Sequence, residues 1–297
     1  MAELERAKRR IKNATELQSV VKIMKAISSA NIQEYEESVR SLNEYNKTIE
    51  LGLQIILQNN ENNKNFLASN LKDKTGSLGA VVFGSEQGLC GKFNEIVARY
   101  ALDRMAEMEH EEQRVLAVGG RVFARLEDAG QSVEAHFSFS GDFLGITEVM
   151  GKVLAKIDQW RLENNVSQIV LFYNRPIGGI AGAFSPQMAY LFPIDAKWLA
   201  SLAERRWQSH SLPTYSMDPD LLFSSLVREH LFFSLYRAFA ESLASENSSR
   251  LSSMQAAERN IEEHLTELLA NYRKQRQEAI SSELLDILTG YEALSSK

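Results

Sequence analysis

Hydrophobic positions near both ends of the chain recur at steps of three or four. Leu4, Ala7, Ile11, Ala14, Leu17, Val21, Met24 and Ile27 form one such series. Met254, Ala257, Ile261, Leu265, Leu268 and Tyr272 form another, continued by Ile280, Leu284 and Ile287. The apolar stripe is narrow, which is the pattern of a coiled-coil seam rather than of a broad buried face. Neither glycine nor proline occurs in the first 51 residues, or in the 70 residues from Asp220 to Thr289. About 70 helical residues would make a rod of roughly 105 Å, far longer than a globular domain needs. A packed bundle of shorter helices would require turn signals, and these stretches carry none.

The middle of the chain alternates between two periods. LGAVVFG (78–84), RVLAVGG (114–120), SVEAHFSFS (132–140) and SQIVLFYN (167–174) read as strands, the first two buried. Between them NEIVARYALDRMAEME, RVFARLEDAG and ITEVMGKVLAKIDQW read as helices. Strand–helix alternation predicts an α/β domain with a largely parallel sheet. PQMAYLFPI adds a hairpin-like edge strand, and the asparagine-rich QNNENNKN (58–65) is the expected linker into the domain. All five prolines lie between Pro176 and Pro219, and 14 of the 16 glycines between Gly76 and Gly182. The expected division is 1–58 for an N-terminal helix, 59–219 for the α/β domain and 220–297 for a C-terminal helix.

Composition narrows the possible chemistry. A net charge of −6 over 297 residues argues against a general nucleic-acid binder, which must neutralise phosphates. A single cysteine, Cys90, excludes an intrachain disulfide. No run approaches the roughly 20 apolar residues that span a bilayer, so direct membrane insertion is not expected. The N-terminal MAELERAKRRIKNATEL has early acids and no apolar core, unlike a secretory signal.

The strand followed by GSEQGLCGKFN invites a nucleotide-binding reading, and the residues oppose it. A P-loop needs glycine, four residues, then glycine, lysine and a hydroxyl. Glu86 stands at the first glycine and Phe93 at the hydroxyl. The dinucleotide pattern fails as well, leaving Gly88 and Gly91 alone correctly spaced. A tight structural turn through Gly88, Cys90 and Gly91 is the expectation, with Cys90 a small packing residue. His110, His136, His210, His230 and His264 fall in no metal-ligand spacing, so no metal, cofactor or catalytic residue is assigned. Charge is more informative: seven basic residues and one acid lie between Arg6 and Lys25. Arg273, Lys274 and Arg276 form a second basic cluster. After Arg276 the helix becomes EAISSELLDILTGYEAL, which is apolar for a free end and suggests a partner socket.

At these residues the chain resembles the γ subunit of F-type ATP synthases. QSVVKIMKAISSANI matches the family's first helix at Lys22 and Met24, and GLCGKFN matches its glycine turn and Asn94. ASENSSRLSSMQAAERN and YRKQRQEAISSELLDILTG match its last helix, among others at Glu246, Arg250, Met254, Tyr272, Arg276, Gln277, Glu283 and Gly290. The resemblance spans the chain in order. Glu86–Gln87, Lys92, Ser281 and the acidic net charge depart from the family's usual pattern and mark a divergent, bacterial-type branch.

The resemblance implies a Rossmann-like α/β domain, without bound nucleotide, inserted between two long helices that form an antiparallel coiled coil. It implies a non-catalytic rotor shaft inside a ring of three α and three β subunits, seated on the c-subunit ring with the ε subunit. The location implied is peripheral, at the cytoplasmic face of a bacterial plasma membrane. Met24, Arg276, Gln277, Ser281 and Glu283 would then meet the αβ ring. Two other readings stay open at this point: a coiled-coil adaptor or scaffold, and an α/β nucleotide-binding enzyme with a helical-hairpin arm.

Overall fold

The computed structural model describes residues 2–59, 76–108, 110, 112–139, 143–178, 182–207, 211 and 213–295. Two long helices flank an α/β region: α1 (Ala2–Asn59) and α6 (Pro219–Ser295). Between them come β1 (Ser77–Phe83), α2 (Phe93–Ala106), β2 (Gln113–Val118), α3 (Gly120–Asp128), β3 (Ala135–Phe137) and α4 (Phe143–Glu163). β4 (Val166–Pro176), β5 (Phe184–Phe192) and α5 (Ala196–Glu204) follow. From residue 60 onward the expected 58–65 linker lies outside the described residues, as does His210. The chain forms two compact units, Met1–Ser28 with Leu251–Lys297, and Ser29–Arg250, so both long helices contribute to each.

In the first unit the two helical segments pair antiparallel. Gln18 Nε2 donates to Glu262 3.3 Å away, and Lys25 pairs with Glu258, so the numbers fall on one helix as they rise on the other. In this unit the buried positions of α1 among the described residues are Ala14, Val21 and Ser28, seven residues apart. On α6 Met254 and Leu268 are buried and Ile261 is half-buried, again at multiples of seven. That is a heptad seam. It corrects the expected series in α1: Leu17 is 58% exposed and Ile27 54% exposed. Steps of three and four alternate strictly here, so the seam runs through Gln18 and Lys25. The cross-helix polar bonds at those two positions take the place of apolar contacts.

The second unit is built on a sheet of order β3-β2-β1-β4-β5 among the described residues. β1 is parallel to both β2 and β4, β2 is parallel to β3, and β5 closes antiparallel on β4. Alternate residues of the central strands serve two cores. Leu78, Ala80 and Val82 of β1, with Val170 and Phe172 of β4, pack beneath Val97 and Ala101 of α2 and Val122 and Leu126 of α3. Val81, Phe83, Ile169 and Leu171 face the other way, against Val153 and Trp160 of α4, Tyr35 of α1, and Leu235, Phe239 and Leu243 of α6. A Cβ on Gly79 would come within 2.9 Å of the Trp160 ring, so glycine at that strand position lets α4 lie close. A third cluster joins Ile49, Leu53 and Ile56 of α1 to Leu199 and Leu202 of α5 and Phe223 of α6. In this unit α1 and α6 also run antiparallel, with Asn31 bonded to Asn247 and Tyr45 to Glu229.

Candidate functional site

Strand order locates the place where such a fold would hold a ligand. From β1 the chain moves outward to β2 and β3, then returns to the other side of β1 for β4. Beyond the carboxyl ends of β1 and β4 the connections diverge, which leaves the crevice used for ligands in open α/β sheets. The glycine-rich turn of residues 84–92 lies at this point. Ser85 and Asn94 lock it from inside. The Ser85 N–H donates to Asn94 Oδ1 (2.8 Å), and Asn94 Nδ2 donates to Ser85 Oγ (2.7 Å). Leu89 (φ 65°) and Gly91 (φ 59°) carry the left-handed backbone angles of the turn, whereas Gly88 does not. Gly84 is required by space: a Cβ there would sit 2.3 Å from the Val122 Cβ and 2.7 Å from Asn94 Oδ1.

The crevice is filled by side chains of α6. Ser245 Oγ donates to the Asn174 carbonyl at the end of β4 (3.0 Å), and Ser249 Oγ to the Cys90 carbonyl (2.8 Å). The Arg250 guanidinium reaches the carbonyls of Gly88 and Gln87, both at 3.3 Å, and Asn247 Oδ1 at 3.4 Å. It also pairs with Glu246, one helical turn earlier, and both members of the pair are buried. Asn174 Nδ2 donates to the Phe93 carbonyl (3.1 Å), tying β4 to the start of α2. Glu241, Ser242, Ser245, Glu246, Asn247, Ser249 and Arg250 are all buried, an unusual density of polar groups for one helical stretch. The N-terminus of α3 is a natural anion site, and it too is taken: the Gly120 N–H donates to Glu86 Oε2 at 3.1 Å. The arrangement is a joint between helix and turn.

Electrostatics follow from this burial. Desolvation pushes the Glu246 carboxyl up to about 7; Arg250 opposes the rise and Glu86 adds to it. Burial, together with the nearby Glu246, raises the Tyr35 hydroxyl to about 12. Burial also pushes the Cys90 thiol above its ordinary range, which disfavours a nucleophilic thiolate. His136 stacks on Phe123 at 4.7 Å and His230 on Trp198 at 4.3 Å, each a packing role. Among the described residues no group of three potential metal ligands comes together. None of their helices is long and apolar enough to cross a membrane.

The expected partner residues all lie in the first unit. Met24 is half-buried on α1, while Arg276, Gln277, Ser281 and Glu283 are exposed on α6. At 100° per residue, Arg276 and Glu283 stand about 20° apart and Gln277 and Ser281 about 40° apart, on two separate stripes. Ile280, Leu284, Leu285, Ile287, Leu288 and Tyr291 around them are also exposed. On α1 Leu17, Val20, Ile23 and Ile27 form a second exposed apolar stripe.

The family model described as ATP synthase matches residues 3–294. The chain belongs to the ATP synthase family. It is 25% identical to the ATP synthase gamma chain of Methylobacillus flagellatus, a match covering 99% of this chain and 100% of that one. The fold is similar to a chain in the rotor of the Euglena gracilis mitochondrial ATP synthase, with TM-score 0.59 and 15% identity, covering 94% of this chain and 99% of that one. It is also similar to a chain of that enzyme in another rotational state, with TM-score 0.64 and 15% identity over 99% of this chain and 95% of that one. Within this family member, sequence reasoning singled out the turn and missed its helical counterpart. The available signal was ASENSSR (244–250), a helical stretch polar at nearly every position, including those that continue the apolar face of Phe239 and Leu243.

Proposed function

We propose that this chain is the γ subunit of an F-type ATP synthase, the central shaft that couples ion flow at a c-subunit ring to ATP synthesis or hydrolysis in an α3β3 ring. The observation that carries the reading is the end-to-end match with a gamma chain. The paired helices support it, since their long stretches without glycine or proline, the first 51 residues and Asp220 to Thr289, resist bending. In this reading 1–58 and 220–297 are the shaft and 59–219 the α/β domain that seats it, with ε, on the c ring. The subunit itself is non-catalytic and holds no cofactor. Support comes from the switch-point crevice, where α6 side chains and Glu86 stand in the ligand's place. It is a peripheral protein at the cytoplasmic face of a bacterial plasma membrane.

Met24, Arg276, Gln277, Ser281 and Glu283 are the residues assigned to the αβ ring. Two stripes on α6 suit a shaft enclosed on several sides, and each β subunit then meets a different face. Contacts that differ between three equivalent subunits bias their affinities for nucleotide, which is how rotation and chemistry become linked. The basic stretch Arg6–Lys25 calls for an acidic partner surface. The joint at Glu246 and Arg250 carries torque between domain and shaft.

A rotation assay tests the reading. Leu162 is 86% exposed on α4, and Cys90 is buried, so a Leu162→Cys variant takes a bead at one point. In the assembled complex ATP should drive one-way rotation with three stops per turn. A bead that only fluctuates, in a complex that hydrolyses ATP, would refute the shaft.

A further inference from the structure

Glu246 is a carboxylate buried inside the joint. Its Oε1 is held by Arg250, while its Oε2 is buried with no hydrogen-bond partner among the described residues. Arg250 divides its donors between this carboxylate, the carbonyls of Gln87 and Gly88, and Asn247, so its charge does not serve Glu246 alone. The other groups around the carboxylate do little to favour its charge. The turn contributes the second carboxylate of Glu86 and the thiol of Cys90, and α1 contributes the Tyr35 hydroxyl. Arg121 of α3 lies beside Gly88. Asn94, Asn174 and the buried serines of the joint are neutral.

We propose that the joint is a proton-sensitive fastening, in which loss of the Glu246 proton loosens the hold of α6 on the glycine-rich turn. With the joint closed, burial holds the carboxyl at about 7; with α6 lifted away, Glu246 meets water and returns to the ordinary 4.5. The closed form therefore binds the proton more tightly. Closure is fully favoured below the ordinary carboxylate range and weakens as pH rises through about 7. In a rotor this would soften the path from domain to shaft as the surrounding medium turns alkaline. The fastening itself does not depend on rotation, because it can be read on the full-length chain alone.

Amide hydrogen exchange provides the test, read at Ser85, Phe93 and Gly182 and corrected for intrinsic rates. Gly182 is the direct reporter, since its N–H donates to Ser248 of α6. From pH 6 to pH 8 protection at these amides should fall roughly tenfold, then level off. In Glu246→Gln the fall should vanish. Should that variant fail to fold, Glu86→Gln removes the charge that raises Glu246 and should move the midpoint to lower pH. Wild-type protection that is flat with pH, a Glu246→Gln variant that keeps the fall, or an unmoved midpoint in Glu86→Gln would each overturn the proposal.

Discussion

Replacing Arg250 with alanine removes the group on which the joint converges. The side chain is 9% exposed and that of Glu246 6% exposed, so the pair is shielded from water. Truncation leaves Glu246 in place with Glu86 nearby and no compensating cation on α6. Breaking a buried pair by removing one partner costs about 3–5 kcal/mol when the remaining group stays charged. Glu246 has an escape that most such partners lack: it can take up a proton. Its carboxyl already titrates near 7 with Arg250 present, and without Arg250 its principal lowering influence is gone. At pH 6 the charge cost is therefore avoided, and what remains is the loss of hydrogen bonds to two backbone carbonyls, about 1–2 kcal/mol. Arg250→Ala should thus destabilise the α/β unit by about 3–5 kcal/mol at pH 8 and distinctly less at pH 6. Urea unfolding followed by tryptophan fluorescence reads this, Trp160 being fully buried in the sheet core. A loss below about 1 kcal/mol at pH 8, or the same loss at both pH values, would refute the picture of a charged pair shut inside the joint.

Other perturbations address the turn and the shaft. Gly84→Ala forces a methyl group against Val122 and Asn94 and should cost about 1–3 kcal/mol in the same unfolding experiment, and a neutral effect would mean the turn is not tightly packed. Arg276→Ala, at an exposed position of α6, should leave the isolated chain's stability within about 0.5 kcal/mol while lowering ATP hydrolysis by the assembled complex. Unchanged turnover would remove Arg276 from the αβ interface. Met24→Lys adds a charge to the half-buried edge of α1 and should impair coupling between ion flow and ATP chemistry more than it impairs hydrolysis. Ion pumping that stays normal per ATP in that variant would remove Met24 from the contact.

The α/β architecture was legible because its signals are local. The apolar, β-branched run SQIVLFYN and the hairpin-like edge strand PQMAYLFPI correspond to β4 and its antiparallel neighbour β5. Helix α5 was not expected, although Asp195 caps it by accepting the Lys197 N–H at 2.8 Å. One short turn signal in a proline-rich stretch was too little to announce nine helical residues. The seam was read correctly at Ala14 and Val21 and wrongly at Leu17 and Ile27. Apolar residues lie within three or four positions of each seam site, and only the partner helix decides that Gln18 and Lys25 face inward. The joint was illegible for a related reason. Glu246 and Arg250 four residues apart look like any solvent-exposed helical ion pair. What buries them is a turn more than 150 residues away in the chain, brought over α6 by the sheet.

The most direct measurement is to co-express the chain with its cognate α and β subunits, purify the product and weigh it intact. The shaft reading predicts a complex of three α, three β and one copy of this chain, with ATPase activity in the complex and none in the chain alone. A chain that stays apart from α and β, or that turns over nucleotide by itself, would contradict it.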